Sequence, residues 1–291
     1  MTAPGGPGAA PPAGAGPGAR VAEAIRAANA AGRAALVVYL PAGYPDMGAS
    51  QRCLTAAAEA GADVLEVGFP YSDPLMDGPI IQAACQTALE AGYTPADDLA
   101  MCRELTAALA VPALVMTYYN LVWHYPGSSA AATSPDGLTA FARDAAEAGL
   151  AGVIVADLPA AESGPWRDAA AAHGLATVFL AAPSSRDATL AAVAANSTGF
   201  VYATSVMGVT GARASLGAQA APLVTRLRAN AGDTPVCVGI GVSTREQAAE
   251  VAAFADGVIV GSAAVRAAGE GPEAVGRLVA DLAAGCRQGA S

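Results

Sequence analysis

Eight short apolar runs, each followed by an alanine-rich stretch of helical character, divide the chain from Ala19 onward. They begin at Ala35 (ALVVYL), Asp63 (DVLEVGF), Pro112 (PALVMTY), Ala151 (AGVIVAD), Ala176 (ATVFLAA), Gly199 (GFVYATS), Pro235 (PVCVGIG) and Gly257 (GVIVGSA). The runs are nearly continuous rather than alternating, as in strands covered on both faces, and the intervals are long enough for crossover helices. A parallel sheet follows. Eight strand-helix units over roughly 255 residues match the usual size of a closed (β/α)8 TIM barrel. A doubly wound open sheet also alternates, but no G-x-G-x-x-G follows the first run, and a count of eight favours closure. The expected fold is α/β, a TIM barrel with extra helices.

The first eighteen residues hold only small residues, Pro and the initial Met, and cannot bury enough apolar area to offset ordering entropy. The expected organisation is a disordered leader over 1–18 and a single barrel domain over 19–291. The longest interval between runs, from Asp63 to Pro112, implies an elaborated loop after the second strand. In such barrels the active site lies at the C-terminal strand ends, so run ends are the places to look for chemistry.

Composition removes several chemistries. The chain contains no lysine, so all 15 basic residues are arginine, and Schiff-base catalysis, resident pyridoxal phosphate and a P-loop lysine are excluded. A net charge of -10 with no basic block disfavours nucleic acid. Five widely spaced cysteines without C-x-x-C, and only two histidines, His124 and His173, make a structural zinc site improbable. Neither histidine sits in a catalytic pattern. With no signal-peptide pattern and no long uninterrupted apolar span, the expectation is a cytoplasmic protein with reduced thiols and no membrane segment.

The segment Leu65 to Gln82, LEVGFPYSDPLMDGPIIQ, places an acid inside an apolar strand. A buried carboxylate is costly unless it is paired or needed, so Glu66 is either matched by a distant arginine or polar layer, or is a general acid/base tuned by its apolar surroundings. Asp77, in M-D-G-P, is either turn chemistry or a second carboxylate facing the first. Glycines punctuate the last three run ends: Gly208 and Gly211, Gly239 and Gly241, then Gly261 followed by Ser262. Tight turns need glycine anyway, but their succession suggests a phosphate cradle, because amides and a helix N-terminus converge there. Ser243 with Glu246 fits a capping box for a helix starting near Thr244.

These residues resemble the tryptophan synthase alpha chain family from Ala19 to the C-terminus. The ungapped motif L-E-x-G followed by P-[FY]-S-D-P-x-x-D-G-P-x-I-Q carries the likeness, together with Tyr39, Ala42 to Pro45, Tyr118 with Asn120, Val155 to Pro159 and Met207 to Gly211. The resemblance implies retro-aldol cleavage of indole-3-glycerol phosphate to indole and glyceraldehyde 3-phosphate without metal or cofactor. It makes Glu66 the proton shuttle and Asp77 the acceptor of the ring N–H. It puts Tyr202 near the glycerol portion, where the alternative is a core aromatic, and places Asp73 and Thr210 on two loops that close over the ligand. Phosphate falls to Gly211, Gly241, Gly261 and Ser262, and the indole wall to Tyr39, Tyr118 and Ile154. The implied partner is a pyridoxal-phosphate beta chain in an alpha2beta2 complex.

Three departures bear on that partnership: Pro41, Val206 and an apparent insertion from Ser128 to Gly137. They imply an altered docking surface or a free-standing lyase releasing indole for secondary metabolism, unless the insertion is a loop of no consequence. A different class of reading is a catalytically silent phosphate-binding barrel that activates a partner, against which the retention of both acids speaks.

Overall fold

The computed structural model describes residues 18–126, 137–204 and 216–289, and for residues 216, 218 and 219 the backbone alone. The leader up to residue 17, the insertion up to residue 136, and Val206, Thr210 and Gly211 lie outside the described residues. Each of the eight apolar runs is a strand: β1 Ala35–Pro41, β2 Val64–Gly68, β3 Ala113–Thr117, β4 Gly152–Val155, β5 Ala176–Ala181, β6 Val201–Thr204, β7 Val236–Gly239 and β8 Gly257–Val260. All neighbours pair in parallel, and β1 meets β8 to close the barrel.

The long interval after β2 is only partly a loop. It also holds two helices, Pro79–Glu90 and Pro95–Ala108, each with proline in its first turn, where the missing N–H costs nothing. Thr94 and Asp97 form a capping box on the second, the Asp97 carboxylate accepting from the Thr94 backbone N–H at 2.9 Å. After β3 comes the short helix Tyr119–Trp123, and the helix Gly137–Glu147 opens directly on its carbonyls.

Strand residues alternate between two cores. One set faces outward against the helical ring, with Leu36, Leu40, Leu65 and Val115 fully buried. The other fills the barrel, where Val37, Val64, Leu114, Ile154, Val178, Phe200 and Ile259 meet. The lower, N-terminal opening is plugged by the helix Ala19–Ala30, whose Val21, Ile25 and Ala28 join that inner cluster. Gly18, just before it, donates its N–H to Gly174 O at 2.7 Å. Among the described residues, no helix is long and apolar enough to cross a membrane.

Candidate active site

Register fixes what the barrel mouth can hold. Tyr39 on β1 lies beside Glu66 on β2, which lies beside Leu114 on β3. Because side chains alternate along a strand, Glu66 shares the inward face with Val64 and stands one layer above the apolar plug. Further around the ring, inward-facing residues pair in the same way, Met116 beside Ile154, Leu180 beside Tyr202 and Thr204 beside Gly239. These residues line a cavity of about 410 Å³, which Met76, Asp77, Ile81 and Gly261 close from the loops and helices above. That volume lies within the ordinary range for small-molecule sites.

Among the described residues, the only carboxylates lining this cavity are Glu66 and Asp77, and no arginine lines it. Glu66 is fully buried, and neither oxygen has a hydrogen-bond partner among the described residues. Burial, and secondarily the nearby charge of Asp77, push its carboxyl up to about 8. Asp77 is buried as well and is raised to about 6 by desolvation, held back by a hydrogen bond from Tyr118. Two acids of nearly the same chemistry are thus separated by environment, one mostly protonated at neutral pH and the other mostly ionised.

The loop that carries Asp77 is folded on itself. Leu75 N–H donates to Asp73 O at 2.9 Å, Asp77 N–H to Pro74 O at 3.1 Å, and the Gln82 side-chain amide to Asp77 O at 2.8 Å. Asp73 is exposed and takes the Ser72 hydroxyl at 2.6 Å, outside the cavity lining.

Two glycines make room for the aromatic walls. A Cβ on Gly68 would collide with the Tyr39 ring, and one on Gly239 would stand 2.6 Å from the Tyr202 hydroxyl. Tyr39 and Ile154 line the cavity as expected. Tyr118 does not; its ring stacks on Tyr71 at 5.0 Å and its hydroxyl meets Asp77.

Two helix N-termini flank the mouth after β7 and β8, and they differ. Arg245–Ala252 is closed by its own cap, with Gln247 N–H donating to the Thr244 hydroxyl at 3.3 Å and the Gln247 side chain accepting from the Ser243 and Thr244 amides at 2.8 and 3.3 Å. The capping box is therefore Thr244 with Gln247, one residue later than Ser243 with Glu246. Ser262–Glu270 has Gly261 as its N-cap, no side-chain cap and no acid in its first turn. Its leading amides, including that of Ser262, have no side-chain cap among the described residues, an end whose dipole favours an anion. Gly241 adopts a left-handed φ of +85°, a turn conformation that favours glycine.

The cavity also contains residues that pattern reading passed over: Met116, Leu180, Ser184 and Thr204. A step-of-two count from Glu66, carried strand to strand, reaches Met116 and Leu180. The same count reaches Thr204, two residues past Tyr202 and paired with Gly239, whereas Ser184 stands beyond the end of β5, where no period applies. Among the described residues, no cluster of three or more His, Cys, Asp or Glu is arranged to hold a metal.

Residues 25–290 match the family described as tryptophan synthase alpha chain. The alpha chain of Streptomyces coelicolor is 52% identical over 271 residues, covering 91% of this chain and 96% of that one. Tryptophan synthase of Mycobacterium tuberculosis superposes with a TM-score of 0.82 at 48% identity, over 92% of this chain and 98% of that one. A tryptophan synthase complex from Pyrococcus furiosus gives 0.74 at 32% identity, over 86% and 98%. With a family match over residues 25–290, a relative 52% identical along most of both chains and a shared barrel, the chain belongs to the tryptophan synthase alpha chain family.

Proposed function

We propose that this chain is the alpha subunit of a tryptophan synthase and cleaves indole-3-glycerol phosphate, with Glu66 and Asp77 as its catalytic residues. The observation that carries this reading is the environmental split between the two carboxyls in one cavity. Breaking the bond between indole C3 and the glycerol carbon needs a proton delivered to C3 and a proton taken from the hydroxyl on the departing carbon. Neutral Glu66 supplies the first and becomes a carboxylate. The ring is then a cation with its charge at N1–H, and ionised Asp77 accepts that N–H and stabilises the charge. As the carbon-carbon bond breaks, its electron pair neutralises the ring. Glu66 takes the hydroxyl proton as the aldehyde forms, and it ends the cycle protonated as it began.

Tyr39 and Ile154 serve as walls for the ring, and Tyr202 stands near the glycerol portion. The phosphate is assigned to the amides of Gly261 and Ser262 at the uncapped helix, together with Gly241 and Gly211. Asp73 and Thr210 are assigned to the loops over the ligand. None of these steps calls for a metal or cofactor. A silent scaffold has no use for a buried, unpaired Glu66.

We further assign the chain to a complex with a beta chain that carries pyridoxal phosphate, as alpha2beta2, and to the cytoplasm. The Pyrococcus furiosus relative is itself a complex, and all five cysteines of this chain are free and buried. The test is indole release from indole-3-glycerol phosphate by the purified chain, with and without a beta chain. Slow release alone and faster release in the mixture is the expected result. Full activity alone indicates a free-standing lyase, and no release under either condition overturns the reading.

A further inference from the structure

Two carboxyls share one cavity, and something must decide which of them keeps the proton. Burial disfavours ionisation of both, and of the more deeply buried Glu66 more strongly. A second asymmetry lies in the hydrogen bonds. Glu66 has no partner on either oxygen among the described residues, whereas Asp77 Oδ2 receives the Tyr118 hydroxyl at 2.9 Å.

The direction of that bond follows from its other side. Met76 N–H donates to the same Tyr118 oxygen at 3.1 Å. An amide N–H can only donate, so it occupies a lone pair of the phenol and leaves the single hydroxyl proton for Asp77. A donor of this kind favours the ionised acceptor, since a hydrogen bond to a charged oxygen is stronger than one to a neutral carboxyl.

The phenol is held where it is. Tyr118 follows β3 directly, and its carbonyl accepts from Leu121 N–H at 3.1 Å at the start of the Tyr119–Trp123 helix. The next amide, Tyr119 N–H, donates to Asp157 Oδ1 at 2.7 Å, tying the turn to the segment after β4. The ring is buried and lies against Tyr71 in a stacked pair.

We propose that Tyr118 is a positioning residue whose hydroxyl orients Asp77 and keeps it the anion of the pair, so that the proton resides on Glu66. The proposal rests on the catalytic reading of the two acids given above, and it deepens that reading. The other titratable groups facing Asp77 are Tyr39 from β1, Cys85 from the helix Pro79–Glu90 and Tyr202 from β6. Burial raises all three, Cys85 to about 12, so each is neutral across the working range. Among the described residues, Glu66 is the one neighbour of Asp77 whose carboxyl titrates within that range. The hydrogen bond from Tyr118 acts against the rise that burial imposes on Asp77.

The experiment compares wild type, Tyr118→Phe and a protein with 3-fluorotyrosine at 118, following kcat/KM against pH for indole-3-glycerol phosphate in the presence of a beta chain. Tyr118→Phe is expected to move the acid limb upward by about one pH unit, the loss of one charge-assisted hydrogen bond. The fluorinated phenol is a stronger donor and is expected to move it downward by roughly 0.3 unit. A packing role alone produces no shifts of opposite sign. Titration of the Asp77 carboxyl by carbon NMR in the same proteins reads the same shifts even if turnover is lost. An acid limb and an Asp77 titration left in place by Tyr118→Phe overturn the proposal. Asp77→Asn separates this from the parent reading: wild-type rates in that variant overturn the catalytic role of Asp77 itself, while inactivity there with an unmoved Tyr118→Phe limb removes only the role of Tyr118.

Discussion

The hydroxyl of Tyr202 lies 2.6 Å from the point where a Cβ on Gly239 would stand, with two ring carbons within 2.9 Å of it. The β7 backbone and the β6 aromatic therefore occupy complementary space at the wall of the cavity. Gly239→Ala is expected to push the ring into the cavity, destabilising the fold by about 1–3 kcal/mol and raising KM. Tyr202→Phe removes the atom nearest the new methyl. The double variant is expected to be less destabilised than the sum of the two singles, as read by urea unfolding.

Glu66→Gln keeps shape and removes the proton carrier. Turnover is expected to fall by about three orders of magnitude or more with KM little changed, measured by steady-state indole release. Equal losses in binding and rate would make Glu66 a structural residue.

The same substitution is expected to alter stability against pH. Glu66 in the folded chain is raised to about 8 from 4.5, so between those values the folded state binds more protons than the unfolded one. The contribution is therefore fully favourable below pH 4.5 and is lost as pH rises toward 8. Above pH 8 the wild type is expected to be less stable than Glu66→Gln by a few kcal/mol, on the order of what such a shift represents. Denaturant midpoints at pH 5 and pH 9 check the sign.

The proposed mechanism requires ionised Asp77 and protonated Glu66 together. The profile of kcat/KM should be bell-shaped, with an acid limb near pH 6 and a basic limb near pH 8, both belonging to the coupled pair. A rate that keeps rising past pH 9 contradicts this assignment of roles.

The two helix ends at the mouth can be told apart by charge. Ser262→Asp places an anion at the N-terminus of an uncapped helix, which suits the dipole and should leave Tm unchanged or raise it. At the same place it repels phosphate, so KM is expected to rise about tenfold or more. Thr244→Ala removes the cap of the other helix and should cost about 1 kcal/mol of stability with KM unaffected.

The barrel was legible because a strand covered on both faces must be continuously apolar, and all eight such runs form strands. Glu66 stood out for the same reason, as a carboxyl interrupting one of them. What was less legible depended on angles rather than on residue types. Ser243 and Thr244 are both good caps, and only the backbone turn, extended at Thr244 with φ -129° and ψ 160°, selects the second. Tyr118 matches a family aromatic by position, yet its ring turns toward Tyr71 and its oxygen toward Asp77, an orientation no periodicity encodes. The interval after β2 reads as an elaborated loop, and what the sequence leaves open is that its extra length is a second helix, Pro95–Ala108, whose apolar residues keep to no one face.

The Ala19–Ala30 helix stoppers the barrel from below, and Gly18 is stitched to the turn that precedes β5. Anything joined to the Ala19–Ala30 helix through Gly18 therefore starts from the face remote from Glu66 and the Ser262–Glu270 helix. Affinity handles or fused reporters belong at that end, away from the mouth of the cavity.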